Sequence, residues 1–325
     1  MKPRVLWTNQ PPDADVAPLS DVAEVVRGGE GVKPMSREAV LEAAGEVDAI
    51  VNQAELRVDD EVLDAAPRLR VVGNVAIGTN NLDLQAMARR NVWATHVPDA
   101  FAESAADFTF ALLLAVARRL VEADAYVRRG DWPGDGFQPG AWDGLLLSGK
   151  TLGIVGFGKI GRAVAQRAEA FGMAIRVNDP RCGDDPRFLE LDELCETADV
   201  LTLHCPLVDN TRGLMDAGRL ARMKPEAILI NMARGPVVVE SDLAAALESG
   251  KLGGAGLDVF ENEPEVHQGL RAHPRAVLSP HIGGGTKTSR RDARLTVARD
   301  VAAVLKGERP GHPVIDLASP PGDRS

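Results

Sequence analysis

Short aliphatic runs alternate with segments of helical period along almost the whole chain. In the first third, "RVLWT", "DAIVN", "RVVGN" and "VWATHV" read as strands, with helical segments such as "LDLQAMARR" between them. Apolar positions then recur at helical spacing from about Pro98 to Arg129. They predict one long amphipathic helix, ended by the Gly and Pro punctuation of "RRGDWPGDG". Beyond that loop the alternation restarts, and "TLGIVG", "AIRVND", "DVLTLH", "AILIN", "GAGLDV" and "AVLSP" are six further strand candidates. A last helix is predicted over about 286–306, and the tail "ASPPGDRS" reads as frayed. Strands alternating with helices predict an α/β protein with parallel sheets. The six later strands suffice for a doubly wound dinucleotide-binding sheet.

Composition narrows the class. A chain of 325 residues is longer than one typical domain, so two are expected. Its 45% hydrophobic and 26% charged residues are ordinary for a soluble globular protein, and with only 4% aromatics the core must be built from Ala, Val, Leu and Ile. A formal net charge of -10 argues against a nucleic-acid or anionic-membrane partner. Cys182, Cys195 and Cys205 are too few and too irregular for a disulfide framework or a zinc cluster, so no metal and a reducing compartment are expected. The start "MKPRVLWTNQPPDAD" lacks the apolar stretch of a secretory signal, and "FALLLAVA" is too short to span a bilayer. A cytoplasmic location is expected. His96, His267, His273 and His312 show no metal-ligand spacing.

The most specific motif is "TLGIVGFGKIGRAVAQRA", where Gly156, Gly158 and Gly161 form G-x-G-x-x-G between a strand pattern and a helix pattern. The first glycine permits the tight turn, the second lets a pyrophosphate approach the backbone, and the third allows close helix–strand packing. Lys159 and Ile160 open the helix, whose unpaired N–H groups and positive dipole end suit phosphates. Asp179 in "VNDPRCG" lies near the roughly 20-residue offset of a carboxylate that accepts hydrogen bonds from the adenosine ribose. A 2′-phosphate there would meet like charge, at a cost of up to ~4 kcal/mol at close range. The expectation is NAD rather than NADP, with Arg181 as the one group able to receive a 2′-phosphate. His204 in "LTLHCPL" ends a strand and is expected to border the cofactor, while Cys205 has no base beside it and is not read as a nucleophile.

Three more stretches fall where later strands end: "NMARGPVVVE", "GLDVFENEPEVH" and "LSPHIGG". In an open α/β sheet, ligands bind outside the carboxyl ends of strands, so these bring together Arg234, Glu263 and His281. An arginine fork matches a carboxylate, a histidine exchanges protons near neutral pH, and an acid beside that histidine orients it and favours the imidazolium.

From "VAIGTNNLD" to the final helix the sequence resembles the D-isomer specific 2-hydroxyacid dehydrogenase family. The signatures GFGKIG, NMARG, LDVFENEP and SPHIGG occur in the family order. The glyoxylate/hydroxypyruvate reductase branch is the most similar, through "THVPDAFAESAADFTFALLLAVARRLVEAD" and "GLDVFENEPEVHQGL". The resemblance implies two Rossmann-like domains: a doubly wound, parallel-sheet NAD-binding domain over 98–286, and a smaller flavodoxin-like substrate domain, discontinuous, from 1–97 plus 287–325. It implies that Arg234 binds the substrate carboxylate and carbonyl, that His281 is the acid/base, and that Glu263 is its partner. Asp258, Met232, Ala233, Gly283 and Gly284 would hold the nicotinamide end. Ala76, Ile77 and Gly78 would close over the substrate with their amides. The long helix would build a homodimer. Trp142 would either reach the partner's active site or simply pack within its own chain. Ala102, Asn80 and Gly285 depart from the family pattern, which has Thr, Asp and a small residue with a side chain at those places.

The implied activity is NADH-dependent reduction of a small 2-keto acid, with His281 giving its proton to the carbonyl oxygen. A non-catalytic, NAD-responsive sensor is the alternative from another class, although such a sensor need not keep Arg, Glu and His together. Phosphite oxidation is open within the enzymes, whereas Glu263 disfavours the formate type, which carries an amide there.

Overall fold

A computed structural model describes residues 2–31 and 33–317. The described chain forms two compact units, one made of the residues up to Phe101 with those from Thr286 onward, the other of Ala102–Gly285.

The first unit is built on five parallel strands: β1 (Arg4–Trp7), β2 (Glu24–Arg27), β3 (Ala49–Asn52), β4 (Val71–Asn74) and β5 (Trp93–Thr95). Their order, β2-β1-β3-β4-β5, is that of flavodoxin-like sheets. Alternation along β1 explains the layers. Val5 and Trp7 face the helix Lys287–Leu305, while Leu6 faces the helices Arg37–Ala43, Asp60–Ala65 and Leu84–Arg89. The helix Lys287–Leu305 begins on a capping box, in which the Thr286 hydroxyl accepts from Ser289 N–H and the Ser289 hydroxyl accepts from Thr286 N–H. β2 was not among the predicted strands. It is an exposed edge whose "EVVR" holds only two apolar residues, so burial leaves no pattern in it.

The second unit carries six parallel strands: β6 (Thr151–Val155), β7 (Ala174–Asn178), β8 (Val200–Leu203), β9 (Ala227–Asn231), β10 (Leu252–Leu257) and β11 (Ala276–Leu278). All six correspond to predicted runs. The order β11-β10-β9-β8-β6-β7 reverses direction between β6 and β8, the point where an open sheet leaves a crevice. Beyond β7, Val177 N–H donates to Arg187 O and Leu189 N–H to Val177 O, each at 2.9 Å. A single bridge stands there in place of a further outer strand. The helices Ala102–Ala117 and Lys159–Ala170 cover one face of the sheet, and Leu191–Thr197, Ala217–Arg222 and Glu240–Glu248 the other. β9 is buried along its whole length, as a central strand covered on both faces must be.

The predicted long helix is two helices, Ala102–Ala117 and Leu120–Arg129. Arg119 between them is left-handed at φ 52°. The segment after the loop crosses at this point, and Leu145 N–H donates to Ala117 O at 2.8 Å, capping the first helix. A long-range crossing of this kind has no local sequence signal, and "ARRL" reads as continuous helix. Among the described residues no helix is long and apolar enough to cross a membrane, and no group of three potential metal ligands occurs.

Candidate active site

The register of the second sheet aligns three strand ends, with Leu257 of β10 beside both Asn231 of β9 and Leu278 of β11. Arg234 and His281 each follow three residues after such an end, so they leave the sheet along one edge. Asn231 shapes the first turn. Its Oδ1 accepts from Ala233 N–H at 3.0 Å and its Nδ2 donates to Arg234 O at 3.1 Å. The Arg234 guanidinium makes one hydrogen bond, from Nη1 to Ala233 O at 2.7 Å, and its other donors have no protein partner among the described residues. Burial lowers its pKa and the nearby Glu263 charge opposes that shift, leaving a cation near Glu263 with donors to spare.

His281 and Glu263 meet, with His281 Nδ1 and Glu263 Oε2 2.9 Å apart. The other carboxylate oxygen, Oε1, accepts from Phe260 N–H at 3.0 Å. Burial pushes the Glu263 carboxyl up, but the His281 hydrogen bond and charge, the Phe260 N–H and Arg234 together outweigh it, and the net shift is downward. Glu263 is therefore an anion at neutral pH, so Nδ1 carries the hydrogen and Nε2 is the ring atom left for a ligand. A cavity of about 310 Å³ adjoins the pair, lined by Phe260, Pro264, Val266 and Leu278 among others.

Asp258, 2% exposed, organises the loop beneath His281. Its Oδ1 accepts from the Ser279 hydroxyl at 2.6 Å and Ile282 N–H at 2.8 Å, and its Oδ2 accepts from Gly283 N–H at 2.7 Å. Its backbone carbonyl accepts from His281 N–H at 2.9 Å. Its carboxylate thus serves its own chain, where the resemblance assigns it to the nicotinamide. A side chain at Gly283 would come within 2.3 Å of Met232 Cε and 2.8 Å of Asp258 Oδ2, so close packing leaves no room for one. The Ser104 hydroxyl reaches Gly284 O at 3.3 Å, a polar tie close to where Ala102 lacks the family's hydroxyl.

The dinucleotide motif has the shape its function needs. Gly156 sits at φ 90°, and a Cβ there would lie 2.6 Å from Cys205 N. A Cβ on Gly161 would meet Gly156 O at 2.3 Å, which permits the close helix–strand approach. The helix from Lys159 follows Gly158 with no side-chain cap, so its positive dipole end is open to an anion. His204 Nε2 pairs with Thr202 Oγ1 at 2.9 Å, while its Nδ1 is buried with no partner among the described residues. Burial pushes this histidine down to about 3, so it is neutral. A bare glycine turn, an uncapped helix and an orphaned ring nitrogen beside them fit a dinucleotide.

Asp179, 4% exposed, lies at the end of β7 as expected for a ribose carboxylate. Oδ2 accepts from Phe157 N–H at 2.8 Å and Arg181 Nη2 at 3.0 Å, and Oδ1 from Arg181 N at 2.9 Å and Nε at 3.1 Å. The Arg181 side-chain hydrogen bonds, with help from the two backbone N–H groups and against burial, hold Asp179 at about 2. Burial pushes the Cys205 thiol up to about 11, which removes it as a nucleophile at neutral pH.

In the first unit, Ala76, Ile77 and Gly78 follow the end of β4. Asn74 Nδ2 donates to Gly78 O at 2.8 Å, and the His96 ring holds Ile77 O through Nδ1 at 3.0 Å. The Ile77 and Gly78 N–H groups have no partner among the described residues, the condition for a backbone anion site. Sequence reasoning passed over Asn74, His96, Ser279 and Glu240. Each acts by fastening a loop, a task any polar residue of the right reach can do, so no motif marks it.

Residues 110–283 match the family model described as D-isomer specific 2-hydroxyacid dehydrogenase, NAD binding domain. A glyoxylate reductase of Thermococcus onnurineus is 42% identical over 318 residues, 95% of each chain. A protein of Thermus thermophilus has a similar structure, with a TM-score of 0.89 and 40% identity over 96% of this chain and 100% of that one. So has an NADPH-dependent glyoxylate/hydroxypyruvate reductase of Sinorhizobium meliloti, solved with NADP and malonate, with a TM-score of 0.86 and 30% identity over 99% of both chains. A family model matched over more than half of the chain, and a relative 42% identical over 95% of it, fix where this fold belongs: the chain is an oxidoreductase of the D-isomer specific 2-hydroxyacid dehydrogenases.

Proposed function

We propose that this enzyme reduces a glyoxylate-type 2-keto acid to the 2-hydroxy acid with NADH. The observation that carries the proposal is the 2.9 Å His281–Glu263 pair on the strand edge that also bears Arg234. A nicotinamide dinucleotide would be held by Gly156, Gly158, Lys159, Ile160, Gly161, Asp179 and His204, with Met232, Ala233, Gly283 and Gly284 at the other end on the loop that Asp258 fastens, and would supply the hydride. His281, its Nδ1–H fixed on Glu263, gives the Nε2 proton to the carbonyl oxygen. Such general acid catalysis is typically worth ~10²–10⁴-fold. Arg234 grips the carboxylate with its free donors and stabilises the negative charge that grows on the carbonyl oxygen. Malonate in the Sinorhizobium relative is a small carboxylate of the kind such a site takes. Loss of NADH absorbance with glyoxylate or hydroxypyruvate tests the proposal. Tight NADH binding without turnover of any 2-keto acid would overturn it.

A second reading of the cofactor, NADPH, has an observation in its favour. Arg181 already neutralises Asp179, and its side chain is 76% exposed. The guanidinium can pivot to a 2′-phosphate, and the Sinorhizobium relative is NADPH-dependent.

We also propose that the enzyme works as a homodimer. The helix Leu120–Arg129 buries none of its residues, and the loop after it exposes Phe137 at 85% and Leu146 at 73%. Exposed apolar side chains of this kind fit a second copy of the same chain. Trp142 packs on its own Tyr126, ring centroids 5.1 Å apart, beneath the Arg119 guanidinium at 5.0 Å, which supports the packing role for it.

A further inference from the structure

Glu263 rides on the loop that joins β10 to the helix Gln268–Ala272, and something must hold that loop still if the carboxylate is to meet His281. The loop leaves the sheet at Asp258 and ends at His267, the N-cap of that helix. Both of its legs end on one side chain. Glu240 Oε1 accepts from Glu261 N–H at 2.6 Å, and Oε2 accepts from His267 N–H at 3.1 Å. Glu240 is 5% exposed, and no cation pairs with it among the described residues. A buried carboxylate without a counter-ion is costly, and here two backbone N–H groups and the start of the helix Glu240–Glu248 offset that cost.

The same acid is tied to the arginine. Arg234, Gly235 and Glu240 lie on one short run of chain, from the end of β9 to the first residue of that helix. A Cβ on Gly235 would fall 1.8 Å from both the carbonyl carbon and oxygen of Phe260, so the Arg234 turn lies directly on the backbone of the Glu263 loop. Phe260 N–H in turn donates to Glu263 Oε1. Glu240 therefore locks the segment that presents the guanidinium to the segment that presents the carboxylate.

We infer that Glu240 is a positioning residue for the reaction: its carboxylate clamps both legs of the 261–267 loop and thereby sets Glu263 against His281 and Arg234. It touches none of the reacting atoms and acts through Glu263. The inference rests on the reading of Glu263–His281 as the acid/base pair.

The test compares Glu240→Gln and Glu240→Asp with Glu263→Gln, using glyoxylate and NADH. Glutamine keeps the shape but sets an NH₂ against one of the two N–H donors, and aspartate keeps the charge but shortens the reach. Both Glu240 variants are expected to lower kcat on the order of 10-fold, a fraction of what general acid catalysis supplies. KM for NADH should stay within about twofold, since the lost interaction does not serve cofactor binding. The alkaline limb of reduction is expected to move to lower pH in Glu263→Gln, which removes the carboxylate facing the imidazolium, and in Glu240→Gln, which displaces it. An unmoved limb in Glu240→Gln beside a moved one in Glu263→Gln overturns the positioning role alone. An unmoved limb in Glu263→Gln overturns the acid/base reading itself. Loss of Tm and NADH binding in step with kcat, with the limb in place, assigns Glu240 to the fold and overturns the inference.

Discussion

His281 holds a left-handed backbone at φ 52°, an uncommon conformation for a residue with a side chain. It is kept there by its own N–H on Asp258 O and by its ring on Glu263. Strain retained at such a point marks a place where side-chain direction matters more than backbone comfort. The pH dependence follows from the proton that this ring handles. Reduction consumes the imidazolium and falls as pH rises, whereas oxidation of the hydroxy acid needs the neutral ring and falls as pH drops. Because the Glu263 carboxyl is held below its ordinary value, it stays ionised through the weakly acidic range, and the acid limb of oxidation belongs to the histidine. Initial rates in both directions check this, and two limbs on the same side would remove His281 from the role. A second prediction concerns Asp179 and Arg181. Asp179→Ser should raise the ratio of NADPH to NADH efficiency by removing the like charge, and Arg181→Ala should lower it by removing the cation. Ratios unmoved by either change would detach this pair from the cofactor.

At the scale of elements, the loop from Ser279 to Gly283 hangs on the single side chain of Asp258. Ser279 supplies its shortest bond, 2.6 Å, in a buried setting. Ser279→Ala leaves that oxygen of Asp258 with one partner fewer, and about 1–3 kcal/mol of stability should be lost. Urea unfolding should show a lower midpoint at unchanged slope. A midpoint equal to that of the unaltered protein would mean that the hub is held by its amides alone. Such loops also explain what the sequence could and could not disclose. Arg234, Glu263 and His281 were legible because their chemistry is rare and each follows a strand whose apolar run is plain. Glu240 was not, since "VVVESDLAAAL" reads only as a strand end and a helix start. The break at Arg119 was hidden for the same reason: its cause, the Leu145 N–H, lies far along the chain. Local pattern reports local causes.

At the scale of the molecule, two parallel sheets, each covered on both faces, account for nearly all of the buried apolar residues, and the strand runs that form them were visible almost throughout. β2 escaped because an edge strand needs little apolar surface. The helix Leu120–Arg129 is the opposite case, since its apolar residues were visible but none of them is buried within the described chain. Val127 and Trp132, half exposed, join Phe137 around a cavity of about 200 Å³ on this face. Full burial of one large apolar side chain is worth about 1.5–3 kcal/mol, so a few such residues covered by a second copy hold a dimer together. Phe137 stands 85% exposed and touches little of its own unit, so replacing it leaves the monomer's core untouched. Phe137→Glu combined with Leu146→Glu places like charges on a surface that, in a symmetric dimer, meets a copy of itself. The double variant is expected to sediment as a monomer where the unaltered protein sediments as a dimer, with its thermal transition then independent of protein concentration. A double variant that remains dimeric would move the interface to another face, and an unaltered protein that is monomeric throughout the micromolar range would leave this apolar surface without the partner proposed for it.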